Sequence, residues 1–309
     1  MKISVIIPTK DYDEGLRRCL TSISKQDYKN KEIIVVGTKE ETSKIAKEFG
    51  AKFFLDKAKT IGNSYSVGAK NAKGGVVAFL DDDCIALKNW LTKINKEFEN
   101  DKDLMAFGGE DIIDEKRSSY FQTALFQLDI PRIYKSIVYG KRARDKLRAC
   151  NIAYRRSVFS KFDFNKDLIS LQEPELHHRL YESGAKMKFD PSIIVYHERR
   201  KNIKSVFKQM YRNGKAKIAV IGMHKKMIAP YDILMFLSIV ISLISVISLT
   251  FTSRMLTYWV ALLLLYFILK PVIILMKTRN MRFYFTLFKI VFVRELAYAL
   301  GLISGIFGK

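Results

Sequence analysis

Three consecutive aspartates, Asp81, Asp82 and Asp83, follow directly on the apolar run from Val76 to Leu80. Adjacent carboxylates repel one another and gain nothing from the end of a hydrophobic strand, so their grouping calls for a cation to neutralise them. That chemistry is divalent-metal binding and, through the metal, phosphate binding. The competing reading is a solvated turn in which Asp83 caps a helix that includes Trp90 and Leu91. His197 ends a second apolar run, Ser192 to Tyr196, and its imidazole either approaches such a metal or is a hydrogen-bonded structural group.

The elements that must position these groups read as alternating strands and helices. Ile3 to Pro8 is a buried-strand pattern, followed by Leu16, Cys19, Leu20 and Ile23 at helical spacing within Glu14 to Lys25. Strands over Glu32 to Val36 and Lys52 to Leu55 flank a helix from Thr42 to Phe49, with Gly50 as its stop signal. A helix over Ile61 to Ala72 leads through Lys73-Gly74-Gly75 into the strand that delivers the aspartates. This alternation predicts βαβ units: an α/β fold with a mixed, mostly parallel sheet flanked by helices, and ligand loops at the strand C-terminal ends.

Further along, Met105 to Phe107 reads as a strand ending at Gly108-Gly109, and the stretch to about Arg148 has no regular pattern. A strand over Cys150 to Tyr154, a short helix from Val158 and a helix over Glu175 to Gly184 follow. Two short strands, Lys186 to Phe189 and Ser192 to Tyr196, are divided by Asp190-Pro191.

The chain carries 53 Lys and Arg against 31 Asp and Glu, a formal net charge of +22, which predicts an anionic partner. Zinc-finger, RNA-binding aromatic and helix-turn-helix signatures are absent, so no nucleic acid is expected and lipid or phosphate is the better partner. The three cysteines, Cys19, Cys84 and Cys150, are widely spaced without CxxC, which suggests neither a disulfide framework nor a structural zinc site and fits a reducing cytoplasm.

Three segments are assigned: a catalytic domain over 1–200, a basic amphipathic membrane-surface helix within 201–229, and a membrane region over 230–309. The surface helix carries Lys204, Lys208, Arg212, Lys215 and Lys217, suited to anionic membrane lipids. Ile233 to Phe251 is a charge-free run long enough to span a bilayer, and Met255 to Met276 a second span interrupted by Lys270 and Pro271. Phe283 to Phe307 contains Lys289, Arg294 and Glu295, so spanning, re-entrant and interfacial readings stay open. It also holds a GxxxG packing pattern at Gly301 and Gly305. Basic residues before the first span and at Lys277, Arg279 and Arg282 predict a multi-pass cell-membrane protein with its catalytic domain in the cytoplasm.

In these motifs, in this order, residues 1 to about 215 resemble the family-2 glycosyltransferases of the GT-A fold. Ser4-Val5-Ile6-Ile7-Pro8-Thr9 resembles the opening strand and donor loop, and Phe79-Leu80-Asp81-Asp82-Asp83 the metal-binding DxD. Asn151-Ile152-Ala153-Tyr154-Arg155-Arg156 resembles the acceptor-side motif, and Glu175 to Leu180 the helix after the catalytic carboxylate. Phe189-Asp190-Pro191 and Val195-Tyr196-His197 resemble the closing strands.

The resemblance implies an inverting, metal-dependent transfer from a nucleotide sugar. The implied acceptor is a lipid-linked saccharide or polyprenyl phosphate, in cell-surface glycan or glycoprotein assembly. Manganese or magnesium would be held by Asp81, Asp83 and His197, with Asp81 and Asp82 also on the donor side and either Asp82 or Asp83 available to the ribose. Pro8, Thr9, Asp11 and Lys70 would be on the donor side, Asn151, Arg179, Gln209 and Arg212 on the acceptor side. Aligned with the family's catalytic carboxylate pair stands Gln172-Glu173, so Glu173 is the implied base and Glu175 the reserve. Asn213 stands where processive members carry Trp, which disfavours polysaccharide synthesis. Gly37-Thr38 replaces an acidic base-recognition motif, which leaves a degenerate nucleotide-sugar-binding scaffold as the alternative from another class.

Overall fold

The computed structural model describes every residue except 11, 12, 59, 131, 132, 134, 236, 238–252 and 309. Asp11, expected on the donor side, and most of the run from Ile233 to Phe251 therefore lie outside the described residues.

Two compact units make up the chain: Met1–Lys116 with Ile133–Glu198, and Arg117–Arg132 with Arg199–Lys309. The first unit ends at Glu198 and the second resumes at Arg199. Segment Arg117–Arg132 departs from the expectation of one continuous domain, because it packs with the C-terminal helices.

The first unit opens as the alternation predicts. Strands β1 (Ile3–Thr9), β2 (Lys31–Gly37), β3 (Lys52–Leu55) and β4 (Val76–Phe79) alternate with helices α1 (Asp13–Ser24), α2 (Thr42–Glu48) and α3 (Ile61–Asn71). Thr60 starts α3 by accepting the Asn63 amide on its side chain. β1 is buried on both faces: Ile3, Val5 and Ile7 belong to one core cluster and Ile6 to the other, which explains its unbroken apolar run.

The remaining elements are β5 (Cys84–Ala86), α4 (Trp90–Asn100), β6 (Leu104–Ile112), α5 (Tyr120–Phe126), β7 (Val138–Tyr139), α6 (Gly140–Arg144), β8 (Ile152–Arg155), α7 (Gln172–Glu182) and β9 (Lys186–His197). All but α5 belong to the first unit. The sheet order is β3-β2-β1-β4-β8-β6-β9-β5, with β7 also paired to β9. β1, β2, β3 and β4 run parallel, β8 is antiparallel to β4 and β6, and β6 pairs parallel with β9. The sheet is mixed and mostly parallel, as expected from the sequence.

Three local expectations are corrected. Asp190-Pro191 does not divide two strands: β9 continues through it, and β6 continues through Gly108-Gly109, with the register shifting between Gly108 and Glu110. A Cβ on Gly109 would lie 2.0 Å from the Ile193 carbonyl oxygen, so glycine permits the close approach that the irregular register requires. Asp83 caps no helix, because β5 follows it directly and Asn89 precedes α4.

In the second unit, α8 (Ile203–Met223), the penultimate helix (Ser253–Thr278) and the last helix (Tyr284–Phe307) join α5. Val206, Leu125, Leu275, Leu287 and Ile290 share one core. α8, expected as a membrane-surface helix, lies along the last helix at backbone contact distance. A Cβ on Gly214 would come 2.3 Å from the Tyr298 carbonyl oxygen, and one on Gly301 2.2 Å from that of Tyr211. The GxxxG glycines thus face α8.

Among the described residues one stretch, Met281–Phe307, is long and apolar enough to cross a membrane. It is the segment whose sequence left spanning open. The penultimate helix carries Pro271 internally, and its Lys270 pairs with Glu295 of the last helix. Multi-pass topology therefore does not follow from the described helices.

Candidate active site

The C-terminal ends of β1 and β4 lie side by side in the sheet, which is where ligands collect in open α/β sheets. Thr9 ends β1, and its hydroxyl donates to the Asp82 carboxylate. Pro8 is buried within β1, paired in register with Val36. The chain leaves β4 through Leu80, passes Asp81 to Asp83, and turns into β5, which pairs antiparallel with the end of β9. In that pairing Cys84 stands opposite His197. His197 is thereby delivered to the aspartates from more than a hundred residues away.

Asp83 Oδ1 lies 3.4 Å from His197 Nε2, and Asp111 Oδ2 of β6 lies 3.0 Å from His197 Nδ1. One donor atom each from Asp81, Asp83 and His197 fall within 4.8 Å of one another. Loss of solvent, then repulsion from Cys150, Asp83 and Glu173, pushes Asp81 well above the ordinary carboxylate range, with His197 opposing. Loss of solvent disfavours the His197 cation, but Asp83, Cys150 and Asp111 outweigh it and raise the imidazole well above its usual value. A cation among these groups relieves the carboxylate repulsion. Two carboxylates and one imidazole form a donor set suited to manganese or magnesium, so the residues fit the expected ion.

Glu173 occupies the first turn of α7, whose preceding residue, Leu171, adopts φ 66°. This left-handed conformation is costly for a leucine, a form of strain that clusters at functional sites. Burial raises the Glu173 carboxyl, while backbone amides, including that of Ala149, and the Arg148 guanidinium partly offset it. The charge of Glu173 disfavours ionisation of Asp81, Tyr65 and Tyr154, as a smaller contribution than their burial. The Tyr65 hydroxyl reaches Asp81 Oδ1 at 3.4 Å.

Glu175 and Arg179 are engaged with each other. Arg179 Nε and a terminal nitrogen each donate at 2.8 Å to Glu175, one to each carboxylate oxygen, and the guanidinium also donates to the Asp163 carbonyl at 2.6 Å. Asn151, expected on the acceptor side, is 1% exposed. Its Oδ1 accepts from the Trp90 indole at 2.8 Å, and its Nδ2 donates to the Glu110 and Ile193 carbonyls at 2.8 and 2.9 Å. Both motifs hold the scaffold of the site: one ties α7 to the Asp163 loop, the other ties α4 to β6 and β9. Lys70 reaches Asp163 at 3.2 Å. Gln209 and Arg212 belong to the second unit, on α8, where they line a cavity with Arg200, Ser205, Phe207, Lys208 and Tyr211.

Asp56, buried completely, accepts from the Ala58 amide, Asn63 and Ser64, so it secures the turn into α3. Sequence reasoning missed Asp111, Tyr65, Cys84, Cys150 and Arg148. Asp111 escaped because Gly108-Gly109 read as the end of β6, although the residues that follow pair regularly with Ile194, Val195 and Tyr196. The Cys84 thiol hydrogen-bonds to Cys150; this bond, against burial and with help from His197, lowers the Cys150 thiol to about 7.

The model of "Glycosyl transferase family 2" matches residues 4–163 of this chain. An uncharacterized glycosyltransferase of Rickettsia conorii is 29% identical over 205 residues, covering 62% of this chain and 33% of the relative. The chain thus spans about a third of that protein's length. A glucosyl-dolichyl phosphate glucuronosyltransferase of Haloferax volcanii is 30% identical over 218 residues, covering 64% of this chain and 69% of the relative. The structure of a mannosyltransferase from Pyrobaculum calidifontis, in complex with GDP-Man and Mn2+, superposes with a TM-score of 0.68 at 12% identity. That match covers 99% of this chain and 87% of the other. At this identity the likeness shows a shared GT-A fold.

Proposed function

The chain belongs to glycosyl transferase family 2, and from that membership and its site we propose a sugar transfer from a nucleotide-sugar donor to a lipid-linked acceptor at a membrane. The observation that carries the proposal is the meeting of donor atoms from Asp81, Asp83 and His197 within 4.8 Å of one another. The names of the relatives support it: one acts on a dolichyl-phosphate-linked sugar, another was solved with GDP-Man and Mn2+.

Asp81, Asp83 and His197 would hold a manganese or magnesium ion, which would supply charge neutralisation to a departing nucleoside diphosphate. Thr9 fixes Asp82 through its hydroxyl, and the pair serves the donor side of the proposed reaction. Glu173 takes the proton from an acceptor hydroxyl as it attacks the anomeric carbon in a single inverting displacement. With a polyprenyl phosphate the nucleophile is already ionised and Glu173 is dispensable. Asp111 holds the His197 ring by its Nδ1 edge, so Nε2 faces the aspartates.

The apolar stretch Met281–Phe307, with Phe285 and Phe307 exposed, supplies the membrane contact. The exposed Lys204, Lys208 and Arg212 of α8 meet anionic headgroups, and the catalytic unit stands on the cytoplasmic side.

The experiment is a panel of nucleotide sugars with manganese or magnesium, using detergent-solubilised protein and mass spectrometry of extracted lipids. A sugar-bearing lipid product that disappears on chelation and returns with the metal is the expected result. Donor binding without turnover on any acceptor class would mark the chain as a nucleotide-sugar-binding scaffold and refute the proposal.

A further inference from the structure

The two buried thiols beside the aspartate cluster belong to no step of the proposed transfer. One donor atom each from Cys84, Cys150 and His197 lie within 4.8 Å of one another. Asp83 Oδ1 adds a fourth, 3.8 Å from Cys84 Sγ and 3.4 Å from His197 Nε2. A tetrahedral zinc ion with about 2.3 Å bonds to sulfur and about 2.0–2.2 Å bonds to nitrogen and oxygen needs ligand-to-ligand edges of about 3.3–3.8 Å. Two of the six edges, from Asp83 to Cys84 and to His197, meet that requirement, and those among Cys84, Cys150 and His197 lie within 4.8 Å. The outer sphere is also in place: His197 Nδ1 faces Asp111 Oδ2 at 3.0 Å, the carboxylate support that orients metal-binding histidines.

The geometry points to a thiophilic-metal site, made by Cys84 Sγ, Cys150 Sγ, His197 Nε2 and Asp83 Oδ1, that takes zinc. Zinc binding displaces to solvent the protons held by the two thiols and by His197 Nε2, so two thiolates, one carboxylate and a neutral imidazole hold the ion. The ligands come from β5, the segment before β8, and the end of β9, three segments that only the sheet brings together. Soft sulfur donors favour zinc over magnesium and manganese, whereas the Asp81, Asp83 and His197 set favours the harder ions. Asp83 and His197 belong to both sets. Zinc therefore excludes the ion of the transfer reaction and arrests the enzyme. This antagonism rests on the proposed metal role of Asp81 and Asp83, while the zinc site stands on its own four donors.

Cobalt is the probe, since cobalt-thiolate bonds give a near-ultraviolet charge-transfer band. The full detergent-solubilised chain, titrated with cobalt under reducing conditions, is expected to develop the band to about one ion per chain and lose it when zinc is added. C84S and C150S lose the band, while C19S, altered at the remaining cysteine, keeps it. Circular dichroism checks that the variants are folded. Asp111→Asn, which leaves both thiols in place, weakens zinc by about 10–100-fold and covers the case where a cysteine variant fails to fold. Manganese paramagnetic resonance reads the antagonism, with zinc releasing bound manganese from the wild type and not from C84S or C150S. A wild type without the thiolate band, or a band that persists in both cysteine variants, overturns the site whether or not the protein transfers sugar. A thiolate band in a protein that turns over no nucleotide sugar keeps the zinc site and defeats the transfer reading instead.

Discussion

Two neighbouring glutamates of α7, changed separately to glutamine, should give crossed effects. Glu175 is 2% exposed, and both of its oxygens accept from Arg179. Breaking a buried ion pair by neutralising one partner costs about 3–5 kcal/mol, and the partial exposure of Arg179 puts Glu175→Gln at the lower end, about 3 kcal/mol. For a unit of this size each kcal/mol lowers Tm by about 2–4 °C, so a fall of ~6–12 °C is expected. Turnover per folded molecule at low temperature should be retained. Glu173→Gln reverses the pattern. Removing a general base lowers the rate by about 10²–10⁴-fold, or about 3–5 kcal/mol of transition-state stabilisation. Its Tm should not fall, because burial already disfavours the Glu173 charge and a neutral amide avoids that cost. Product formation on hydroxyl and on polyprenyl phosphate acceptors, beside a thermal melt of each variant, makes the comparison; the phosphate acceptor should be spared by Glu173→Gln. Full activity of Glu173→Gln on a hydroxyl acceptor, with Glu175→Gln inactive at an unchanged Tm, would refute the assignment.

Other outcomes follow from the same contacts. Asn151→Ala leaves the Trp90 indole and two carbonyls without their partner; at about 1–3 kcal/mol for each buried unsatisfied group it should cost ~3–9 kcal/mol in urea melts. A raised acceptor KM at unchanged stability would instead return Asn151 to the acceptor side. Glu32 is held at about 2: burial opposes this, but Lys52, Ser4 and the Lys73 amide outweigh it. Its folded value lies below its unfolded one, so its stabilisation, about 3 kcal/mol, is complete above the ordinary glutamate range and is lost as pH falls toward 2. Glu32→Gln should flatten the acid limb of a stability-against-pH curve, and an unchanged limb contradicts this. Gly301→Leu forces α8 off the last helix and should destabilise the second unit by about 1–3 kcal/mol or more, measured by hydrogen exchange in α8; unchanged protection refutes the packing role. Turnover on a hydroxyl acceptor should fall with acid at an apparent pKa above the ordinary glutamate value, because burial raises Glu173; a profile flat through that range argues against it as base.

The sequence by itself determined the parallel half of the sheet and the place of Asp81 to Asp83. Those features follow from short-range periodicity: unbroken apolar strands, helical spacing between them, and charge where the strand stops. The penultimate and last helices were legible for the same reason, and the GxxxG pattern marked a packing face without naming its partner.

The tertiary structure alone decided which partners the polar side chains near the site meet. Asn151 and Arg179 sit in motifs that suggested substrate contact, yet Asn151 bonds to Trp90 and Ile193 and Arg179 donates to the Asp163 carbonyl, all distant in the chain. Asp111, Cys84, Cys150 and His197 carry no joint signal along the chain, because they meet through strand register: β5 against β9, β6 beside β9 and β8. Side-chain direction alternates with every residue of a strand, so a one-residue slip in any of those pairings would point a different set of groups at the aspartates. Local pattern specifies that strands exist and which way their apolar faces turn. Only their pairing across the sheet sets which titratable groups converge.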